Sequence, residues 1–470
     1  MMTRQEFLVG ISAVAVMGDC RAVTCRQKPE LTVGLLSDLH ISDRGSAAKF
    51  RTALRRFDEM KADAVLVSGD LTDWGLVSQL ECVAQAWNEV FAGGRRSDGG
   101  RITKLFHYGD HDIGGLTHSF GPNWPGWEAL RRKHPNTAEL DCQIIEKVGR
   151  KEVWERVFGE EWSPVMRRQV NGYDFLLSNF TWGEPGNEWG DATPGFGAAL
   201  ENLSPRKGRP FFCSQHRIYR NTVGGPDAPG QDDGSVGAVL AGHPDAFCFC
   251  GHGHLNAVDE TSIWQGAFTA VELPSLQYTV LRKGRENSRV SAAVDFAKTV
   301  PPRQMKRMET SGTRQAMVMR VHSDAVEISR FDVADGLPLG PGWVVPLDGS
   351  RPFEFKARKD SEVAPQFPSG AGVEVVRRQG EDRHGTPTEQ WVVSFPAARE
   401  TADIPRAYEY EVLPRSGRAK LVYSPQIISA SARDVGTVNC VFAVSEVPEK
   451  PVFSVTPIGS FGSRGRSISS

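Results

Sequence analysis

The sequence predicts an α/β fold built on mixed β-sheet with helices on the sheet faces, followed by a small all-β sandwich domain. Two observations support this prediction. Strand-like and helix-like segments alternate over residues 29–347, and only strand-like segments occur after that. The chain has 470 residues, which is too long for one ordinary hydrophobic core, so we expect more than one domain.

The alternating segments are defined by apolar runs and by amphipathic periodicity. The predicted elements are, in order, a strand at 31–36, a helix at 47–60, a strand at 62–67, a helix at 75–91, and strands at 102–108, 210–214 and 246–250. This alternation is typical of βαβ units with parallel strands. Asn171-Gly172 lies between two alternating runs and predicts a hairpin. Residues 315–321 and 325–333 predict a second hairpin, so the sheet system is mixed.

Strand-like runs alone fill the C-terminal part of the chain. They are GVEVVRR, QWVVSFP, AYEYEVL, AKLVYSP, TVNCVFAV and PVFSVTP, and turn residues separate them, which is typical of a β-sandwich. Their pattern resembles that of a fibronectin type III domain. We therefore divide the chain into a leader at 1–28, an α/β domain at 29–347, a polar linker at 348–365 and a β-sandwich domain at 366–470.

Composition and charge argue against several classes of protein. Hydrophobic residues make up 40% of the chain and charged residues 24%, as is usual in globular proteins. A net charge of −2 gives no indication of nucleic-acid binding. The eight cysteines include no CxxC motif, which argues against a zinc ribbon. Cys248 and Cys250 lie in one predicted buried strand, where we expect free thiols rather than a strained disulfide.

The N-terminus has the features of an export signal. Arg4 precedes an apolar run from Leu8 to Gly18, which is too short to span a bilayer and has the length of a signal-peptide core. TRQEFL resembles a twin-arginine signal with Gln5 in place of the second arginine, and MGDC resembles a lipobox with Asp19 before the cysteine. We expect an exported protein that is periplasmic, at the cell surface or secreted, and either soluble or held by a lipid. The alternative is a disordered cytosolic leader. No other stretch of sequence suits a transmembrane helix.

Five short motifs carry the candidate functional residues, and each follows or ends a strand-like run. They are SDLH with Asp38 and His40, SGDLTD with Asp70, YGDHD with Asp110, His111 and Asp112, SQHRIY with His216, and CGHGH with His252 and His254. In a strand, residues i and i+2 share a face, so the Asp-x-His and His-x-His pairs can each aim two side chains at one point. The carboxyl ends of parallel strands form the crevice in which α/β sheets usually bind ligands.

Each motif alone has an ordinary structural explanation. An aspartate at a strand end is often a turn or helix-capping residue, and a single histidine is more often structural than a ligand. The joint occurrence favours function, because five of the 11 histidines fall within these motifs. The order Asp-x-His, Gly-Asp, Gly-x-His-Asp, His, Gly-His-x-His resembles the calcineurin-like metallophosphoesterase superfamily over about residues 30–335.

The resemblance implies a four-layer sandwich of two mixed β-sheets flanked by helices, with a dinuclear metal site. Imidazole and carboxylate ligands without thiolate favour two divalent or trivalent ions of Zn, Mn or Fe. Carried over residue by residue, the family pattern gives two ligand groups and a bridge. It assigns Asp38, His40 and His254 to one metal, Asp110, His216 and His252 to the other, and Asp70 to both.

By the same resemblance, the chain is expected to be a phosphoric ester hydrolase. A hydroxide between the two metals would attack the phosphorus of a phosphomonoester or phosphodiester substrate. His111 would stabilise a phosphoryl oxygen or protonate the leaving alcohol, and Asp112 would orient the His111 ring. The sequence does not identify the partner of the C-terminal domain.

One residue departs from the family pattern. The third motif of the family is Gly-Asn-His-Asp or Gly-Asn-His-Glu, and this chain has Asp110 in place of the asparagine. A carboxylate coordinates metal well, but its extra negative charge reduces the Lewis acidity of the metal and the attraction for an anionic substrate. We therefore expect retained metal binding with an altered metal preference or slower turnover. The alternative is a metal-binding or adhesion protein that has lost catalysis.

The stretch between the third and fourth motifs is rich in tryptophan. It contains Trp124, Trp127, Trp154, Trp162, Trp182 and Trp189. Two interpretations remain open: these side chains form a substrate wall above the metals, or they pack together as a separate hydrophobic cluster.

Overall fold

The structure is a computed structural model that describes residues 28–114, 132, 137–180, 193–203, 208–281, 284–287, 308, 312–382, 385–400, 406–428, 436–447 and 451–470. The predicted leader, up to residue 27, lies outside these residues, and so do Trp124, Trp127, Trp182 and Trp189.

The strands, in chain order, are β1 (Leu31–Leu36), β2 (Ala64–Ser68), β3 (Thr103–His107), β4 (Val165–Val170), β5 (Tyr173–Ser178), β6 (Phe211–Ser214), β7 (Ala246–Cys250), β8 (Ile263–Gln265), β9 (Thr269–Glu272), β10 (Gln315–Val321), β11 (Ala325–Asp332), β12 (Trp343–Pro346), β13 (Glu374–Glu381), β14 (Pro387–Pro396), β15 (Glu409–Pro414), β16 (Lys420–Tyr423), β17 (Thr437–Ala443), β18 (Phe453–Ile458) and β19 (Ile468–Ser469).

The α-helices are α1 (Ala47–Glu59), α2 (Val77–Val90), α3 (Asp110–Gly114), α4 (Thr137–Asp141), α5 (Ile145–Val148), α6 (Arg150–Phe158), α7 (Thr193–Glu201), α8 (Ser235–Leu240) and α9 (Phe355–Ser361). Short 3₁₀ helices occur at Ala92–Gly94, Glu260–Ser262, Pro425–Ile427 and Val444–Glu446.

Two six-stranded mixed sheets form the α/β domain. Sheet 1 has the order β12-β11-β10-β1-β2-β3, in which β1, β2 and β3 are parallel and the other strands are antiparallel to their neighbours. Sheet 2 has the order β4-β5-β6-β7-β9-β8, in which β5, β6, β7 and β9 are parallel and the two edge strands are antiparallel. The predicted mixed sheet system is confirmed.

The two sheets pack face to face, and helices cover their outer faces. Alternate residues of β6 show this arrangement, because Phe212 lies in the core between the sheets whereas Cys213 packs outward in a cluster with residues of α7 and α8. On sheet 1, Phe50 of α1 and Trp87 of α2 contact Phe106 of β3, with ring centroids 6.1 Å and 5.4 Å apart. The four layers implied by the family resemblance are therefore confirmed.

The predicted bounds of the principal elements agree closely with the structure. The helix predicted at 47–60 is α1, which buries apolar residues at helical spacing on one face. Asn171 and Gly172 connect β4 to β5 with positive φ of 50° and 78°, which is the conformation that this hairpin turn requires. The strands β8, β9, β12 and β19 were not predicted; each has only two to four residues, which is rarely enough to show a periodicity.

The C-terminal residues form two small antiparallel sheets, with the orders β13-β14-β17 and β16-β15-β18-β19. Val393, Tyr410 and Phe453 are buried in a core that these sheets share. The predicted all-β architecture is confirmed, and its likeness to fibronectin type III stays a prediction. The segment predicted as a linker contains α9.

Trp154 and Trp162 support the packing interpretation for their part of the tryptophan-rich stretch. Trp154 is fully buried against Tyr108 and Phe158, with ring centroids 4.9 Å and 4.6 Å apart. Trp162 packs partly buried against the same core. Cys248 and Cys250 are buried free thiols, as expected. Within the described part of the chain, the structure has no helix that is long and apolar enough to cross a membrane.

A buried polar contact joins the two sheets beneath their carboxyl ends. His107 of β3 places Nε2 2.8 Å from the Ser214 hydroxyl of β6. The Ser214 hydroxyl donates a hydrogen bond to the Ser68 hydroxyl of β2 at 3.0 Å. His107 is fully buried, and burial lowers its pKa to about 3. The imidazole is therefore neutral at ordinary pH.

Replacing His107 with glutamine should flatten the acid dependence of stability. The unfolded chain binds a proton at His107 with a pKa near 6.5, whereas the folded chain does not bind it until about pH 3. Stability linked to His107 is thus fully present above pH 6.5 and falls as the pH drops towards 3, by up to about 1.4 kcal/mol per pH unit. Urea unfolding between pH 4 and 7 measures this slope, and equal slopes for the two proteins would contradict the prediction.

Candidate metal centre

Loops that follow five parallel strands meet at one edge of the two sheets. Sheet 1 supplies the loops after β1, β2 and β3, and sheet 2 supplies the loops after β6 and β7. Because these strands are parallel within each sheet, their carboxyl ends lie together. The structure thereby brings together all seven residues predicted as metal ligands, which are Asp38, His40, Asp70, Asp110, His216, His252 and His254.

The first predicted ligand group is compact and buried. The Nε2 atoms of His40 and His254 are 3.3 Å apart, and His254 Nε2 lies 3.0 Å from Asp38 Oδ1. Asp38 is fully buried, and the two histidines are nearly so. The three ligand atoms lie within 4.8 Å of one another, which is close enough to bind one metal ion.

The second predicted group lies beside the first and is more open to solvent. Asp110 Oδ1 is 2.9 Å from His216 Nε2 and 3.2 Å from His252 Nδ1. The two histidine nitrogens are 3.3 Å apart, so His252 faces the group with Nδ1 and His216 with Nε2. The side chains of Asp110 and His252 are 16% and 23% exposed, which makes this the accessible side of the site.

Asp70 lies between the two groups. Its Oδ2 atom is 3.7 Å from His40 Nε2 and 3.2 Å from His216 Nε2. Its other oxygen, Oδ1, accepts a hydrogen bond from the backbone N–H of His111 at 2.9 Å. Asp70 thus has the position that a carboxylate bridging two ions would need.

Hydrogen bonds outside the cluster determine which imidazole nitrogen faces it. His254 Nδ1 donates to the Tyr278 carbonyl at 3.1 Å, and His216 Nδ1 donates to the Ser68 carbonyl at 2.8 Å. In the neutral imidazole, a proton on Nδ1 leaves Nε2 with a lone pair that faces the cluster. Imidazole nitrogens and carboxylate oxygens that face each other at about 3 Å need a proton or a metal ion between them, and neutral imidazole with carboxylate is a common donor set for transition metals, so these residues fit metal ions.

Most of the predicted ligands have a left-handed backbone conformation. The φ angles are 52° at Asp38, 41° at His40, 50° at Asp70, 68° at His252 and 50° at His254. Non-glycine residues rarely adopt this region, and each such residue costs roughly 1–3 kcal/mol. Strained residues of this kind cluster at functional sites, where the surrounding structure holds them in place.

Two motif glycines allow the ligands to approach closely. A Cβ atom on Gly109 would lie 2.2 Å from Asp70 Oδ1, and one on Gly251 would lie 2.6 Å from Asp38 Oδ2. Both distances are far below van der Waals contact, so any side chain at these positions would displace a candidate ligand. The glycines of YGDHD and CGHGH are therefore part of the site.

A sequence model of the calcineurin-like phosphoesterase family matches residues 31–254, from the start of β1 to the last predicted ligand. This part of the chain belongs to the calcineurin-like phosphoesterase family. No curated protein matches the chain.

Solved structures similar to the chain include a dimetal phosphatase from Danio rerio. It is 12% identical, and the alignment covers 68% of this chain and 100% of that one, with a TM-score of 0.40. GAP50, described as the anchor in the inner membrane complex of Plasmodium, is 9% identical, and its alignment covers 67% of this chain and 88% of that one, with a TM-score of 0.38.

Asp73, rather than Asp112, supports the His111 ring of this calcineurin-like site. His111 Nδ1 donates to the Asp73 carbonyl at 2.8 Å. The carboxylate of Asp112 is fully buried and accepts hydrogen bonds from backbone N–H groups after β2 and β3, namely those of Leu71, Thr72 and Gly109. The predicted role of Asp112 in orienting His111 is thus corrected. Consecutive residues of a helix project in different directions, so sequence adjacency does not imply side-chain contact.

Charges within the site act strongly on Asp110 and His111. Burial alone would raise the pKa of Asp110, but His252 and His216 hold it well below its ordinary value. Asp110 is therefore ionised, unlike the asparagine of the family pattern. Burial opposes protonation of His111, but the carboxylates of Asp70 and Asp110 outweigh it and raise the pKa of His111 to about 9.

Sequence reasoning did not assign two residues that contact the candidate ligands. Asp73 Oδ1 lies 3.4 Å from His40 Nδ1, and the spacing within SGDLTD offered a signal for it. The Tyr278 ring packs on His254 and His40, with ring centroids 4.2 Å and 5.4 Å apart. Tyr278 lies in a loop after β9 whose sequence, LPSLQYTV, has no recognisable motif, so only the folded chain reveals its contact.

Replacing Asp110 with asparagine should test the charge of this calcineurin-like site. Loss of one negative charge should weaken metal binding beside His216 and His252. At saturating metal it should raise kcat/KM for an anionic substrate about fivefold, since a unit charge 4 Å away is worth about 1 kcal/mol in water. Metal titration and steady-state kinetics measure the two effects. If both stay at the values of the unmodified protein, Asp110 does not tune the site.

Proposed function

We propose that the chain is a metal-dependent phosphoric ester hydrolase that cleaves phosphomonoesters or phosphodiesters at a dinuclear metal site. The observation that carries this proposal is the pair of adjacent His–Asp groups with Asp70 between them. The membership of residues 31–254 in the calcineurin-like phosphoesterase family supports the same class of reaction.

The proposed ligand sets follow the two groups. Asp38, His40 and His254 would hold one ion, Asp110, His216 and His252 the other, and Asp70 both. Donors of this kind suit Zn, Mn or Fe. Two bound ions supply a lowered pKa for coordinated water and positive charge for the phosphoryl oxygens. The backbone carbonyls of Tyr278 and Ser68, which accept from Nδ1 of His254 and His216, would keep Nε2 of each ring free to hold an ion.

His111 is proposed to act on the substrate directly. It lies beside Asp70 and His40, and its ring meets the His40 ring edge to face at a centroid distance of 4.6 Å. Its pKa of about 9 means that the ring carries a proton at neutral pH. Metal cations at Asp70 and Asp110 would offset those negative charges and bring this pKa down towards neutrality, which suits a general acid. The ring would then donate to a phosphoryl oxygen or to the leaving oxygen.

The test is a matched measurement of metal content and hydrolysis. The full chain is loaded with Zn²⁺, Mn²⁺ or Fe²⁺ and assayed with p-nitrophenyl phosphate and bis-p-nitrophenyl phosphate. We expect two ions per chain and hydrolysis of at least one ester, abolished by chelation and restored by metal. Two ions per chain with no hydrolysis for any metal would overturn the proposal and favour a metal-binding protein without catalysis, for which the extra charge of Asp110 is the supporting observation.

We also propose that the chain is exported. The basic start at Arg4 and the short apolar run that follows support this location. Expression of the full chain followed by fractionation and mass spectrometry of its N-terminus tests the proposal. An intact N-terminus in a cytosolic fraction would overturn it.

A further inference from the structure

The C-terminal domain is packed onto the phosphoesterase domain through buried contacts. Tyr408, Tyr423 and Ile427 belong to the same buried apolar cluster as the strands of sheet 1. An ion pair joins Arg285 Nε to Glu409 Oε2 at 2.6 Å. The two domains therefore share a core. Because protein cores are closely packed, a structural change on one side of the interface also displaces residues on the other side.

Gln315 reaches from sheet 1 into this interface. It is the first residue of β10, which runs antiparallel to β1, so Gln315 lies at the edge of the sheet where β1 ends and the metal centre begins. Its side chain is buried, with 1% of the residue exposed. A buried amide needs partners for both its oxygen and its nitrogen.

The side-chain amide of Gln315 joins the two domains. Its Oε1 atom accepts a hydrogen bond from the backbone N–H of Ala257 at 2.8 Å. Its Nε2 atom donates to the carbonyls of Ile428 and Ile427 in the C-terminal domain, at 2.9 Å and 3.2 Å. One side chain thus connects the C-terminal domain to the backbone three residues after His254.

The segment 255–262, which directly follows the CGHGH motif, has further hydrogen bonds to the linker and to the C-terminal domain. Arg358 of α9 donates to the Glu260 carbonyl at 2.5 Å and also pairs with the Glu260 carboxylate. The Ser460 hydroxyl accepts a hydrogen bond from the backbone N–H of Glu260 at 3.3 Å. Contacts from both the linker and the C-terminal domain therefore converge on this one segment.

The backbone before this segment is under strain. His252 and His254 both have positive φ, at 68° and 50°. Such conformations persist only where surrounding contacts hold them, because each costs roughly 1–3 kcal/mol. Segment 255–262 directly follows His254, so holding this segment in place supports the strained backbone from its C-terminal side.

We propose that the C-terminal domain holds the metal-binding backbone in place through Gln315, which makes Gln315 a positioning residue for His252 and His254. The effect on metal affinity rests on the proposed function. The effect on the backbone of segment 255–262 does not, because it follows from the hydrogen bonds alone.

Hydrogen exchange in the full chain tests the backbone effect. Gln315→Met keeps the length of the side chain and removes both kinds of hydrogen bond. We expect amides within 255–262 to exchange about tenfold faster in this variant. The matched control is Asn287→Leu, because Asn287 is also buried and also bonds across the interface. Its Nδ2 atom donates to the Tyr423 carbonyl at 3.0 Å, and its Oδ1 atom accepts from the Tyr423 N–H at 2.8 Å. Asn287 has no hydrogen bond to segment 255–262 among the described residues, so exchange there should stay unchanged.

Binding of Mn²⁺ to the unmodified protein, Gln315→Met and Asn287→Leu tests the effect on the metal site. Loss of a residue that supports metal ligands typically costs 10–100-fold in affinity, so we expect Mn²⁺ to bind Gln315→Met about tenfold more weakly and Asn287→Leu as tightly as the unmodified protein. A chain that binds Mn²⁺ but hydrolyses no phosphate ester would contradict the proposed function and leave this inference standing.

A second variant covers the case in which Gln315→Met does not fold. Arg358→Gln breaks the tie at the other end of the same segment and should also accelerate exchange within 255–262. The proposal is overturned if exchange in this segment is unchanged in the folded variants. It is also overturned if Asn287→Leu accelerates exchange there as much, since the interface would then act only through general stability.

Discussion

Replacing Asp70 with asparagine should remove at least one of the two metal ions and lower kcat/KM by about 10³-fold or more. Asp70 Oδ2 lies within 4 Å of a histidine from each ligand group, at 3.7 Å from His40 and 3.2 Å from His216. A neutral amide oxygen binds a cation less tightly than a carboxylate does. Loss of one ion also removes several kcal/mol of charge stabilisation from the transition state.

Metal analysis of the purified variant and steady-state kinetics with p-nitrophenyl phosphate measure the effect of Asp70→Asn. Asp245→Asn is the matched control, because Asp245 precedes β7 and so lies at the opposite end of that strand from His252. The control should keep two ions and full activity. Two ions and an unchanged rate in Asp70→Asn would show that Asp70 does not bridge the metals.

Replacing His111 with asparagine should lower kcat about 10²- to 10⁴-fold while both metal ions stay bound, which is the usual effect of losing a general acid. The asparagine amide retains a donor for the Asp73 carbonyl, which His111 Nδ1 now contacts at 2.8 Å. The variant should therefore keep the loop around Asp73 in place and remove only the proton that His111 would donate to the substrate.

The leaving group separates the two possible actions of His111. A general acid matters most when the leaving alcohol is strongly basic, so the loss of rate in His111→Asn should be larger for an alkyl phosphate than for p-nitrophenyl phosphate. An equal loss for both esters would assign His111 to the phosphoryl oxygens instead. A fall in metal content would contradict both roles and place His111 among the ligands.

The sequence predicted which candidate ligands meet, because the alternation of strands and helices indicates parallel strands and the order of the motifs resembles the family pattern. Asp38, Asp110 and His216 each come two or three residues after the end of a strand, and parallel strands bring such residues to one edge. The same local rules predicted α1 and the turn at Asn171, where periodicity and turn chemistry agree with the final fold.

Contacts between distant segments could not be predicted in this way. Asp112 is next to His111 in the sequence, yet its carboxylate bonds the backbone of residues 71 and 72 instead of the ring. Tyr278 contacts His254, and Gln315 contacts the segment after His254, through the packing of loops and domains that no local pattern encodes. The residues that support the ligands are thus harder to predict from sequence than the candidate ligands themselves.

The left-handed backbone at the candidate ligands limits how this site can be redesigned. Positions 38, 40, 70, 252 and 254 all have φ between 41° and 68°. Asn, Asp, Gly and His tolerate this region far better than β-branched residues do. A library that seeks a new metal preference should therefore sample those four residue types there. Valine, isoleucine or threonine would lose folded protein before any change of metal selectivity could be observed.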